Sequence, residues 1–139
     1  MSQPFLFDIP QSIEDYLVVL DDFIEREIKP LEAQDDNIRF FDHRREKART
    51  DWGRGGLPRE EGGALLAEAR RRADAAGHYR YPLPKAYGGQ DGTNLGMAVI
   101  REHFASMGLG LHNDLQNEHS IVGNNVGLLL MIEYGTDQQ

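Results

Sequence analysis

The chain contains no cysteine. That excludes disulfides, a cysteine nucleophile and thiolate-ligated zinc, and it suits a reducing compartment. Basic residues are scarce: 15 Lys and Arg stand against 23 Asp and Glu, a formal net charge of -8. A general nucleic-acid binder needs a basic face to neutralise phosphates, so the charge argues against that class and against attachment to an anionic membrane surface. Long hydrophobic runs are also missing. The longest, Leu128 to Ile132, is far short of the roughly 20 residues of a membrane span. The N-terminal "MSQPFLFDIPQS" lacks the basic segment and long apolar run of a secretory signal. The resulting expectation is a cytoplasmic protein. No stretch alternates convincingly as a β-strand either. "YRYP" at 79–82 begins to, and its proline ends it.

What is present is helical periodicity in a chain of 139 residues, the size of one domain. Ile13, Leu17, Leu20, Ile24, Ile28 and Leu31 recur every three or four residues, forming one apolar stripe. Ser12 is the expected N-cap, and Pro30 should kink or end the helix nearby. Residues 35–58 are charged and Gly-rich, which predicts a long exposed connection with one short helix at 42–50. Arg44, Arg45, Lys47 and Arg49 there could meet an anionic partner, or simply form a solvated face. A second long helix is predicted from Pro58 to Gly77, a C-cap residue, burying Leu65, Leu66, Ala69, Ala73 and Ala76. A third runs from Thr93 or Asn94 to Met107, with Leu95, Ala98, Val99 and Phe104 inward. A fourth is expected from Asn113 to Tyr134 and stops at Gly135. Its first half is polar on every side. Its second half, "VGLLLMIEY", is apolar nearly all round, as a buried helix would be. The fold class is therefore all-α, a bundle of about four main helices with a long charged connection after the first.

Three kinds of chemistry can be tested by spacing. "PLPKAYGGQDG", residues 82–92, is the densest run of Pro and Gly. It fails as a phosphate loop: Gly88, Gly89 and Gly92 lack the dinucleotide spacing, Lys85 precedes the glycines, and a helix rather than a strand comes before. It is a turn. His103, His112 and His119 lie near Glu102, Asp114 and Glu118, but the Glu-His pairs are adjacent rather than Glu-x-x-His, so no metal site is assigned. Ser106 and Ser120 lack a nucleophile elbow. Glu118 would serve as a general base only if buried, and lining a cavity suits it better.

The segment "PLPKAYGGQDGTNLGMAVIREHFASMGLG" resembles the N-terminal helical region of acyl-CoA dehydrogenases. That family has a Pro-acid-x-Tyr-Gly-Gly turn before a helix carrying a hydrophobic-x-Glu pattern. Here the turn reads Pro84, Lys85, Ala86, Tyr87, Gly88, Gly89, with Lys85 replacing the acid, and the helix carries Val99, Ile100, Arg101 and Glu102. "LDDFIEREIKPLEAQDD" is similar to the family's first helix, and "LLLMIEYGTDQQ" to the end of the helix before its β domain. The three segments occur in order and span most of residues 13–139. The charged insertion at 40–57 departs from the family's shortest members. The resemblance implies that residues 1–139 are an N-terminal domain, with the middle β domain and C-terminal bundle beyond it. It implies FAD and α,β-dehydrogenation of an acyl-CoA thioester in the full-length protein, with a separate electron-transfer partner. The catalytic glutamate and the main flavin contacts belong to the other domains, so no catalytic or cofactor-binding residue is assigned here. The isolated chain is expected to be inactive and to retain no FAD. The resemblance also places the fourth helix against the acyl pocket. Glu118, Val122 and Val126 would share one helical face, and with Leu115 they are the candidate pocket residues. A domain that packs on others should expose an apolar face, so a homo-oligomer is expected. The alternative is a non-enzymatic helical module that binds a protein or an apolar ligand.

Overall fold

The computed structural model describes residues 8–113, 121–123 and 125–139. Its architecture is mostly helical, with four main helices and one very small sheet. Helix α1 spans Gln11–Phe23 and continues through a π-helical turn, Ile24–Ile28, into α2, Lys29–Ala33. Pro10, not Ser12, caps it: the Pro10 carbonyl accepts the amides of Ile13 and Glu14 at 2.9 and 3.3 Å. Pro10 holds an extended backbone and needs no hydroxyl for this, and Ser12 lies within the first turn. The kink expected at Pro30 is a widened turn. The Lys29 amide reaches five residues back to the Ile24 carbonyl. Pro30 has no amide to continue the ladder and its ring crowds the preceding turn, so one extra residue is accommodated there. The stripe is buried as expected, with Leu20, Ile24 and Ile28 fully enclosed.

The connection is exposed but has structure of its own. Tight 3-10 turns occupy Gln34–Phe40 and His43–Ala48, the latter where an α-helix at 42–50 was expected. Asp35 and Asp36 both take left-handed backbone there, at φ 50° and 56°. Two residues of the basic run pair within the chain: Arg45 with Asp36, and Arg44 with Asp42 at 2.9 Å. A two-stranded antiparallel sheet follows, which sequence periodicity did not reveal. β1 (Thr50–Asp51) sets Thr50 opposite Pro58 of β2 (Leu57–Pro58). Two residues per strand are too few for alternation to register. Pro58 therefore sits in a strand, and α3 begins later, spanning Glu60–Ala75.

Helix α3 buries Leu65, Ala69 and Ala73, with Leu66 partly buried. Ala76, expected inside, is exposed because the helix has already ended. Gly77 closes it at φ 85°: His78 N–H bonds the Ala73 carbonyl at 2.8 Å and Gly77 N–H bonds Asp74 at 3.0 Å. This is the Schellman arrangement, and left-handed backbone at its centre favours glycine. Helix α4, Asn94–Ser106, is capped by Thr93, whose hydroxyl accepts the Gly96 amide at 3.0 Å. Its buried side is Gly96, Val99, Ile100 and Phe104; Leu95 and Ala98 face outward instead. Gly96 sets the approach, since a Cβ there would lie 2.1 Å from the Tyr81 hydroxyl oxygen. The core joins α1, the π turn, α3, α4, Phe40 and Phe41 of the connection, and Leu111, Ile121 and Val122.

The fourth main helix differs most from expectation. Helix α5 spans only Val126–Tyr134. Residues 121–123 and 125 are not helical, and Asn125 has φ 25°. The predicted first half, with Leu115 and Glu118, lies mostly outside the described residues. The apolar second half is not buried: Val126, Leu128, Leu130, Met131, Ile132 and Tyr134 are 38–80% exposed. The exposed apolar face expected of this chain is therefore α5 itself.

Candidate functional site

The turn at 82–92 is closed to ligands. Its amides are spent internally: Tyr87 and Gly89 donate to Pro84, Gly88 to Lys85, Asp91 to Leu83, and Gln90 and Gly92 to Tyr81, all at 2.9–3.3 Å. A cradle for phosphate needs amides pointing outward together. The Asp91 carboxylate fills the remaining space, accepting the Lys85 amide at 3.0 Å. Gly89 is required by contact, because a Cβ would fall 1.9 Å from the Leu83 carbonyl oxygen.

Behind this turn lies a polar cluster that the sequence did not single out. The Tyr16 oxygen is 2.8 Å from His78 Nδ1, and Gln90 Nε2 donates to that oxygen at 3.2 Å and to the Gly77 carbonyl at 2.7 Å. Tyr16 stacks on Tyr81 with centroids 5.1 Å apart, and Phe23 meets His78 edge-on at 4.8 Å. One proton assignment satisfies the Tyr16 oxygen and His78 Nδ1: Gln90 donates to Tyr16, and Tyr16 donates to a neutral His78. The electrostatics agree. Burial pushes the Tyr16 hydroxyl up to about 12 and holds His78 below its ordinary value. The cluster ties α1 to the α3 terminus and the turn. His78 is buried, Tyr16 and Gln90 are half-buried, and the bonds join three segments of the fold, so the cluster is structural.

The histidines considered for metal binding have separate partners. His103 Nε2 lies 2.6 Å from Asp21 of α1. His112 is buried, its Nε2 donating to the Phe104 carbonyl at 3.2 Å, and burial lowers its pKa. Glu32 accepts the Leu111 amide beside it. Among the described residues no three His, Asp or Glu side chains gather as a metal site. His119, Asp114 and Glu118 lie outside them. Of the pocket candidates, Leu115 and Glu118 also lie outside. Val122 is 2% exposed and packs in the core, and Val126 opens α5 at 52% exposure. Val122 and Val126 do not share a helical face, because the backbone between them is anchored elsewhere. Gly123 N–H and Asn125 Nδ2 both donate to the Tyr79 carbonyl, each at 3.1 Å.

A cleft of about 830 Å³ lies between the outer face of α3 and α5. Its α5 wall is Leu128, Met131 and Ile132. The opposite wall bears Arg70, Arg71 and Asp74 of α3, with Arg80 from the turn. Arg80 grips Asp74 through two bonds of 2.7 and 2.8 Å, while Arg71 and Arg72 both bond Glu68. Those two guanidinium groups pull Glu68 down to about 2. The cleft thus has one apolar wall and one of largely paired charges. The sequence carried a signal for the second: residues 67, 70, 71 and 74 share one face of α3 by helical spacing.

Among the described residues no helix is long and apolar enough to cross a membrane. Comparison with models of known protein families, with curated proteins and with solved structures gives no match.

Proposed function

We propose that this chain is the N-terminal helical domain of a flavin-dependent acyl-CoA dehydrogenase, a cytoplasmic protein in its full-length form. The observation that carries this is α5, a helix with no polar face standing clear of its own core. An apolar helix of this kind supports a domain that works packed against further protein. In that role Val126, with Leu115 and Glu118, contributes to the acyl pocket wall, and Val122 supports the wall from the core side. The flavin is expected on the other domains rather than on this chain. The Gly-rich turn has spent its amides on its own carbonyls, and Tyr16 and His78 bond each other. FAD and the catalytic glutamate would be supplied by the other domains. The full-length protein passes electrons to a separate partner.

The test is to purify the protein encoded by the whole reading frame containing this chain. The expected product carries a flavin absorbance band that an acyl-CoA bleaches, while residues 1–139 alone stay colourless when mixed with FAD. A frame whose product binds neither flavin nor acyl-CoA overturns the proposal. The alternative, a non-enzymatic helical module binding a protein or an apolar ligand, is favoured by the cleft between α3 and α5, and that outcome would support it.

A further inference from the structure

We propose that a hollow at the start of α3 binds a small monocarboxylate whose apolar body is about one ring, a molecule of benzoate size. The inference rests on two arginines at the base of the β1–β2 hairpin and does not need the flavin assignment.

The hollow has a volume of about 220 Å³ and lies between the connection and the first turns of α3. Phe40, Phe41 and Leu66 give it an apolar lining, and Gly63 leaves bare backbone on the α3 side. Phe40 and Phe41 belong to the core, so packed side chains hold this lining in place. The polar side chains that line it are those of Arg49 and Arg59.

The hairpin sets these two arginines side by side. Thr50 stands opposite Pro58, and the Arg59 amide donates to the Arg49 carbonyl at 2.9 Å, which carries the ladder one residue further. Opposite residues of an antiparallel pair project from the same face, and like charges there repel. No carboxylate among the described residues offsets this. Arg59 Nε donates to a neutral acceptor, the Lys47 carbonyl, at 2.9 Å. The Arg49 side chain bonds no described residue, although Arg44 and Arg45 of the same basic run are paired. The neighbouring acids are turned elsewhere. Glu60 bonds Arg54 at 2.6 Å and Asp51 accepts the Gly53 amide, and neither lines the hollow. No side chain caps the first-turn amides of α3, so their partial positive charge adds to that of the arginines.

Each feature selects one part of the ligand. Two guanidinium groups with no counter-charge select a carboxylate, which a guanidinium fork can hold through two parallel bonds. The volume selects the body. A dry cavity of about 150 Å³ holds benzene, so about 220 Å³ takes a ring and one carboxyl group. The Phe and Leu lining covers that ring. Inorganic phosphate would satisfy the charge and leave the apolar lining wet.

Titrating benzoate into the 139-residue chain, followed by amide NMR shifts, tests this. The expected shifts fall on Arg59, Gly62 and Gly63, with a dissociation constant of ~1 mM or tighter. Benzyl alcohol keeps the ring without the charge, and acetate keeps the charge without the ring. Each is expected to bind at least ~10-fold more weakly. Arg49→Gln weakens benzoate binding at least ~10-fold, while its thermal midpoint without ligand stays at or above that of wild type because the repulsion is relieved. Should that variant misfold, the three-ligand comparison on the wild type decides alone. No shift at those residues with ~10 mM benzoate overturns the proposal. So does Arg49→Gln binding benzoate as tightly as wild type, or benzyl alcohol, acetate or inorganic phosphate binding as tightly as benzoate.

Discussion

Gly89 and Gly63 show how one residue type has opposite consequences at different positions. A Cβ on Gly89 would strike the Leu83 carbonyl at 1.9 Å, whereas one on Gly63 meets nothing within 4 Å. Gly89→Ala is expected to destabilise the chain by more than about 2 kcal/mol, because rigid backbone must move. Gly63→Ala, within α3, should stabilise it by about 0.5–1 kcal/mol through lost unfolded-state entropy. Urea midpoints of both variants test the contrast. The buried histidines predict a pH dependence. His78 and His112 have pKa values below 6.5 when folded. Between each folded value and 6.5 the unfolded chain binds more protons, so stability falls as pH drops from 6.5 and is insensitive to these groups above it. Urea unfolding at stepped pH should show that slope, and it should be shallower in His78→Gln. Little of this was legible in sequence. His112 was visible as a histidine, but its partner is a carbonyl eight residues away, and His78 meets Tyr16 across 62 residues.

At the level of elements, the periodic segments were the readable ones. The stripe from Ile13 to Leu31 is buried because 3.6-residue spacing leaves that helix one side to bury. Gly77 and Thr93 act at the ends where their chemistry put them. Thr93→Ala should cost about 1 kcal/mol by removing the acceptor for the Gly96 amide, measured by thermal unfolding, whereas Ser12→Ala should have little effect because Pro10 already caps α1. Helix α5 was misplaced for a physical reason. "NNVGLLLMIEY" continues a helical pattern, but Gly123 and Asn125 are pulled to Tyr79, a bond no local pattern predicts. In α4, Leu95 turned outward because the close contact of Gly96 with Tyr81 fixes the helix rotation.

For the whole molecule, stability is concentrated on one side. Phe104, Leu20, Ile24, Ile28 and Ile100 are fully buried together where α1, the π turn and α4 meet, while α5 contributes no buried residue. Hydrogen exchange at dilute concentration should therefore find α5 amides exchanging through local opening and α4 amides only near global unfolding. Equal protection of α4 and α5 in the dilute chain would contradict this division. Phe104→Ala should cost ~3–5 kcal/mol, enough to unfold much of the population, as circular dichroism at 25 °C would show.

Composition and periodicity by themselves determined that this chain folds as helices around one core, carries no disulfide and does not cradle a phosphate in its Gly-rich turn. Those properties depend on residue type and local spacing. The tertiary structure alone decided which long-range bonds end the helices, that α5 stands outside the core, and that it borders a cleft whose other wall is charged. The reason is the same in each case. A helix's apolar content fixes that it must be covered, but only the arrangement of its neighbours fixes whether its own chain can cover it.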